Sequence, residues 1–246
     1  MRNLGVVTKV DFINLVKNPI WLFYTAVFPI VLVLILGFLT RGDYGQEVTS
    51  YDYYGITMML FIIFSSAMTA ANAFMEDRIK KPNMRIIYAP GAASVIYLSK
   101  ILATFAFTFI CHVVDLLILT TFLKVTIRAW AAVLILFALA ELFSVILGIM
   151  MCCLLKTEEM TNQIISVVVP TIAVMGGLLF RLDGYGEIIR RMSLLSPAKW
   201  LGNSLFQIIY DGDFSLFLPL VVTLSVGSLI MLGICQCTFK KEDCIC

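Results

Sequence analysis

The chain has 246 residues, 61% of them hydrophobic and 14% charged, with a mean hydropathy of +0.97 and a formal net charge of +2. Soluble domains average about 45–50% apolar and about 25% charged residues, so this composition excludes a water-facing globular enzyme, and the near-balance of charge gives no footing for a nucleic-acid partner. A bilayer-spanning helix uses about 20 residues, so about six spans fit, while the long unbroken apolar runs exclude a β-barrel, whose strands alternate over about ten residues. The expected fold is an all-α polytopic membrane protein forming a single transmembrane domain over residues 1–246.

In chain order, residues 2–18 place Val6, Val10 and Ile13 on one face, with Lys9, Asp11, Asn14 and Lys17 largely elsewhere. This predicts an interfacial helix over residues 1–19 that breaks at Asn18-Pro19. Its charged lead-in is long and no small-residue cleavage site follows, so the first apolar run is expected to be a retained span and not a signal peptide. Spans are expected at residues 20–39, 53–74, 98–122, 129–155, 160–180 and 216–237. The segment between the second and third spans carries Glu76, Asp77, Arg78, Lys80 and Lys81, a dense mixed-charge patch followed by Pro82. Before the last span, Leu194, Leu195, Ser196, Pro197 and Trp200 predict an outer re-entrant or interfacial segment.

Basic residues orient the spans. Arg2, Lys9, Lys17, Arg78, Lys80, Lys81, Arg85, Lys100, Lys156, Lys240 and Lys241 share one side, and the other side holds Arg41, Lys124, Arg128, Arg181, Arg190, Arg191 and Lys199. Four of the latter fall in one long loop, and the short loops govern insertion. Both termini are therefore expected in the cytoplasm, with the protein in the cell membrane.

The sequence lacks a phosphate loop, a G-x-G-x-x-G turn, an H-E-x-x-H helix and a G-x-S-x-G elbow, and His112 is its single histidine. Neither an autonomous ATPase nor a protease or oxidoreductase is expected. The seven cysteines lie in span 3 (Cys111), at expected cytoplasmic span ends (Cys152, Cys153, Cys235, Cys237) or in the tail (Cys244, Cys246), where a reducing environment favours free thiols over disulfides. Two C-x-C pairs in and near the tail depart from zinc-site spacing, so no metal site is assigned.

Polar residues within spans are costly in lipid and mark faces turned toward other helices or a water-filled path. Ser65, Thr69 and Asn72 line one face of span 2, and Ser166, Pro170 and Gly177 fall along span 5, making these the candidate path residues. For the span 5 stripe, close packing of small residues is the preferred account. Asp115 and Glu141 are the carboxylates deep within spans. Counted at 1.5 Å per residue from the outer ends, His112 and Glu141 lie about 15 and 18 Å deep and Asp115 about 10 Å. His112 and Glu141 are expected to interact, with Asp115 one turn outward, either as a polar clamp between neighbouring helices or as a proton or substrate relay.

These features, in this order, resemble the membrane subunit of type 2 ABC transporters, the ABC-exporter permease family, over nearly the whole chain. Lys17-Asn18-Pro19 before span 1, and Phe28-Pro29 within it, resemble that family's connecting helix and first span. Glu76-Asp77-Arg78-Ile79-Lys80-Lys81 is similar to its cytoplasmic coupling segment, although Lys80-Lys81-Pro82 stands where the family has Gly-Thr. Lys100 matches the basic residue opening span 3, and Pro170 to Gly177 with Ser196, Pro197 and Trp200 resembles the fifth span and outer re-entrant region. The resemblance implies an export permease that binds no cofactor itself. ATP and magnesium would sit on a separate ABC ATPase subunit docked at residues 76–81. A second permease chain would complete a path for an amphipathic or hydrophobic substrate among membrane lipids. The alternative is an ion- or proton-coupled secondary transporter working through His112, Asp115 and Glu141.

Overall fold

The computed structural model describes residues 2–42, 44, 45, 48–75, 94–180 and 186–239. Among them all regular structure is helical. Helix α1 covers Arg2–Lys17, and Asn18 then caps the next helix by accepting a hydrogen bond from the Ile20 amide at 3.1 Å. Helix α2, Pro19–Leu39, contains a π-helical turn at Phe23–Val27. Pro29 explains that turn: it has no N–H to give and its ring would strike the carbonyl four residues back, so the helix widens and the Phe28 amide reaches Phe23 instead.

Helix α3, Ser50–Met75, opens on a reciprocal capping box. The Asp52 amide donates to Thr49 Oγ1 at 3.2 Å, and the Asp52 carboxylate accepts from the Thr49 amide at 3.0 Å. Its other oxygen accepts from the Thr126 amide at 2.7 Å, tying the loop after the next helix to the start of α3. Helix α4 is Ser94–Phe122, α5 is Trp130–Leu155, and α6 is Glu158–Met175, whose first-turn Glu158 and Glu159 complement the helix dipole. A short helix α7, Glu187–Ser193, precedes α8, which runs from Pro197 to Phe206 and ends in a π turn at Gln207–Asp211. Helix α9 is Phe217–Thr238.

Helix α3 is the centre of the bundle. It packs against α2, α4, α5, α6 and α8, while α9 lies on α5 and α1 lies on α4. Its interior is almost continuously covered, including Met58, Met59, Leu60, Ile63 and Ala67. Helices α2 and α9 instead leave broad apolar faces open, as at Ile20, Phe38, Leu218 and Leu229. A helix covered on all sides belongs to a bundle interior, and apolar faces left open belong against lipid or another chain.

Five helices among the described residues are long and apolar enough to cross a bilayer: α2, α3, α4, α5 and α9. Helix α6, where a span over 160–180 is expected, has 18 residues and ends at Met175, with Glu158, Glu159, Asn162 and Gln163 lowering its apolar character. The expectation placed its end five residues too far on, because the apolar run continues through a turn at Gly176 and Gly177. Other boundaries shift outward: α3 begins at Ser50 and α4 at Ser94, polar or aromatic starts that an apolar run does not include.

On helix α1, Val6, Val10 and Ile13 are exposed, and Asp11 lies off that face but apart from the exposed Lys9, Asn14 and Lys17. It is buried against α4, where Lys100 Nζ donates to its Oδ1 at 2.5 Å.

The tightest seam is between α3 and α5. A Cβ placed at Gly148 would lie 2.0 Å from the Ala67 carbonyl oxygen and 2.9 Å from its Cα, so only glycine allows the backbones this close. Gly148→Leu is expected to cost more than about 2 kcal/mol by overpacking, read as a lowered melting temperature in detergent. Gly233→Leu, where nothing lies within 4 Å of the new Cβ, should be tolerated in the same assay.

Candidate functional site

Helix α3 carries Ser65, Thr69 and Asn72 along one face, and all three are buried within the chain. Ser65 spends its hydroxyl on the Phe61 carbonyl, one turn back, at 2.8 Å. Asn72 reaches across to α6: its amide nitrogen donates to Asn162 Oδ1 at 3.3 Å, and Asn162 returns a bond to Asn72 Oδ1 at 2.9 Å. The same Asn72 nitrogen also donates to the Met68 carbonyl at 2.8 Å. Two primary amides facing each other satisfy both an acceptor and a donor on each side, so this clasp joins two helices without leaving either amide bare.

Asn162 is a residue that the reading of span 5 passed over. It lies four residues before Ser166, on the same stripe, four residues from the start of α6, as Asn72 lies three from the end of α3. Helix α6 is two-sided. Thr161, Ile165, Val169 and Ala173 recur every four residues and are buried, whereas Gln163, Ser166, Val167 and Thr171 are exposed. Pro170 is half-buried and Gly177 is buried. Of the six candidate path residues, Ser166 therefore stands open while Ser65, Thr69, Asn72 and Gly177 are covered by the chain's own helices.

His112 on α4 and Glu141 on α5 meet in the bundle interior, with Nδ1 2.7 Å from Oε2 and side chains 1% and 0% exposed. Asp115 is also fully buried, one turn along α4. The pair leaves His112 Nε2 and Glu141 Oε1 without a hydrogen-bond partner, and both Asp115 oxygens are likewise unpartnered. Equal depth on antiparallel neighbours, α4 and α5, is what brings the imidazole and the carboxylate together.

Beyond α6 the chain turns sharply. Gly177 has φ of +72°, a left-handed conformation that costs other residues about 1 kcal/mol or more, and its carbonyl accepts a hydrogen bond from the Tyr53 hydroxyl at 2.5 Å. A Cβ at Gly176 would lie 2.7 Å from the Ala198 Cβ and 3.0 Å from Ser196 Oγ, so the start of α8 rests directly on this turn. Ser196 Oγ donates to the Ile172 carbonyl at 2.7 Å, Pro197 occupies the first turn of α8, where its missing N–H is not needed, and Trp200 Nε1 donates to the Leu194 carbonyl at 2.8 Å. Ile188 on α7, Leu195 in the turn that follows it and Trp200 on α8 remain exposed. The expected coupling residues Glu76, Asp77, Arg78, Lys80 and Lys81 lie outside the described residues, as do Cys244 and Cys246.

An all-helical bundle with a buried central helix, open apolar flanks and two short helices between α6 and α9 is the membrane domain of a multi-pass protein. The chain belongs to the ABC-2 type transporter family, whose sequence model matches residues 2–210, from α1 through the π turn of α8. Comparison with curated proteins finds no match. The chain is therefore a permease subunit of an ABC transporter, in a family of transport subunits that associate with a separate ABC ATPase.

The buried pair allows a direct test. Glu141→Leu strands the imidazole, and breaking a buried pair in this way should cost about 3 kcal/mol, whereas the double variant His112→Leu/Glu141→Leu should recover most of it. Unfolding in detergent measures both. A coupling energy well above the ~0.6 kcal/mol typical of interhelical hydrogen bonds in membranes is expected.

Proposed function

We propose that this chain is the permease of an ATP-driven exporter that works as a pair of permeases with two ATPase subunits. Membership of the ABC-2 type transporter family is the observation that carries this reading, and it favours an ATP-driven machine over an ion-coupled secondary transporter. ATP and magnesium belong to the partner subunit.

The path is placed between two permease chains. In support, the central helix α3 is covered on all sides by its own chain, whereas α6 leaves Ser166 and Thr171 exposed beside Val167 and Val174. Hydroxyls set among apolar side chains, without a ring of charges, suit an amphipathic or hydrophobic substrate. The amide clasp of Asn72 and Asn162 fixes α6 to α3, so a displacement of α3 carries the exposed face of α6 with it. His112 and Glu141 serve as a clamp between α4 and α5, with Asp115 one turn along α4. Both termini face the cytoplasm, following the excess of basic residues on that side, and the segment of α7 and α8 with Ser196, Pro197 and Trp200 lies at the outer interface. Residues Glu76, Asp77, Arg78, Lys80 and Lys81 dock the ATPase, since a mixed-charge patch orients a partner and disfavours wrong ones.

Affinity purification in mild detergent tests the assembly. A soluble protein with a phosphate loop should co-purify near one to one, and reversal of the charges at Glu76 and Asp77 to lysine should reduce its recovery about tenfold. Recovering the permease alone, under conditions that preserve complexes, overturns the reading.

A further inference from the structure

Acids outnumber bases in the interior of the bundle. Asp52 and Lys100 lie in the first two turns of their helices. Beyond them, the five long apolar helices carry no aspartate, glutamate, lysine, arginine or histidine except His112, Asp115 and Glu141. Asp52 accepts from the Thr49 and Thr126 amides and Lys100 is bound to Asp11, so both have partners of their own.

Even with His112 charged, one base faces two acids. Glu141, 2.7 Å from Nδ1, takes that charge, and Asp115 is left as the surplus. Asp115 is 0% exposed, and neither of its oxygens has a hydrogen-bond partner. An ionised carboxylate with no donor on either oxygen is stranded in an apolar interior, whereas a carboxylic acid loses only the solvation of a neutral polar group. A metal ion is not the counter-charge, since among the described residues no three His, Cys, Asp or Glu side chains are grouped to hold one.

The elements packed against α4 do not bring another cation to the cluster. On α1, Lys9 and Lys17 are exposed and Asp11 belongs to Lys100, fifteen residues from Asp115 and about 22 Å away by helical rise. Lys124 and Arg128, in the loop from α4 to α5, are exposed. The other titratable groups carry no positive charge: Tyr24 on α2, Asp52 and the tyrosines beside it on α3, Tyr97 and Cys111 on α4, and Cys152 and Cys153 at the far end of α5.

We propose that Asp115 is a buried proton-binding site. It takes one proton from water and holds it at neutral pH, as an uncharged carboxylic acid one turn from the His112–Glu141 pair. The proton also turns one Asp115 oxygen into a donor, in a cluster where Glu141 Oε1 lacks one. The inference goes beyond the export reading and needs only that these helices cross a membrane.

Stability carries the signature. An aspartate in the unfolded chain has released its proton above about pH 4, so the native state binds more protons and loses stability as pH rises. Asp115→Asn, uncharged and of the same size, removes that contribution.

The test is infrared spectroscopy of the purified full-length chain in lipid nanodiscs, with isotope-labelled aspartate carboxyls. At neutral pH a protonated-carboxyl band that shifts with the label is expected, and it should vanish in Asp115→Asn. Asp115→Glu, which keeps the acid but moves it off the aspartate label, assigns the band if the amide variant does not fold. The melting temperature of the wild type, measured against Asp115→Asn from about pH 5.5 to about pH 8, should fall as pH rises. Absence of the labelled band at neutral pH, its survival in both variants, or a difference that stays level or rises with pH overturns the proposal. So does a rise in melting temperature with sodium or potassium that Asp115→Asn abolishes, which marks a metal cation in place of the proton.

Discussion

Gly148 lets α5 lie with its backbone against the carbonyl of Ala67 on α3, and the arrangement of the bundle depends on that contact. Lipid tails are as apolar as leucine, so no hydrophobic force draws two spans together once they are inserted, and close backbone packing must supply the attraction. Once α5 is seated this near, α2, α4, α6 and α8 close over the remaining surface of α3. The most polar of the long stripes, Ser65 to Asn72, is sealed by this closure. What stays open is the outer surface of α2, α6 and α9, where the helices have little of their own chain to meet.

Against this close-packed centre, the interhelical polar contacts each join a different pair of elements. Asn72 and Asn162 join α3 to α6, His112 and Glu141 join α4 to α5, and Asp11 and Lys100 join α1 to α4. Tyr53 joins α3 to the Gly177 turn, and Asp52 joins the start of α3 to the loop before α5. A polar group stranded in hydrocarbon costs several kcal/mol, so each contact specifies its partner helix more sharply than apolar surface can. Packing gives the bundle its cohesion, and these bonds give it one register.

Much of this was legible in the sequence because lipid imposes simple rules. Apolar run length located the long helices, and helix rise alone brought His112 level with Glu141. The reading was weaker wherever a polar residue had a choice of partners. Periodicity places Asp11 off the apolar face of α1 but does not show that Lys100, 89 residues on, supplies a buried counter-charge. Asn162 went unremarked because its meaning lies in Asn72 on another helix. The end of α6 was misplaced since Leu178, Leu179 and Phe180 are as apolar in a turn as in a helix. Gly148 looks in sequence like any small residue, and only the three-dimensional approach of Ala67 distinguishes it.

Helix α1 buries one carboxylate, Asp11, while Val6, Val10 and Ile13 face away. Such a helix cannot reach its final position when it leaves the ribosome, because the lysine that neutralises Asp11 is synthesised two spans later. Until α4 is in the bilayer, the N-terminal segment must wait at the membrane surface with its carboxylate in water. The contact with Lys100 thus ties the first element of the chain to the third long helix, and it exists only where both are in place.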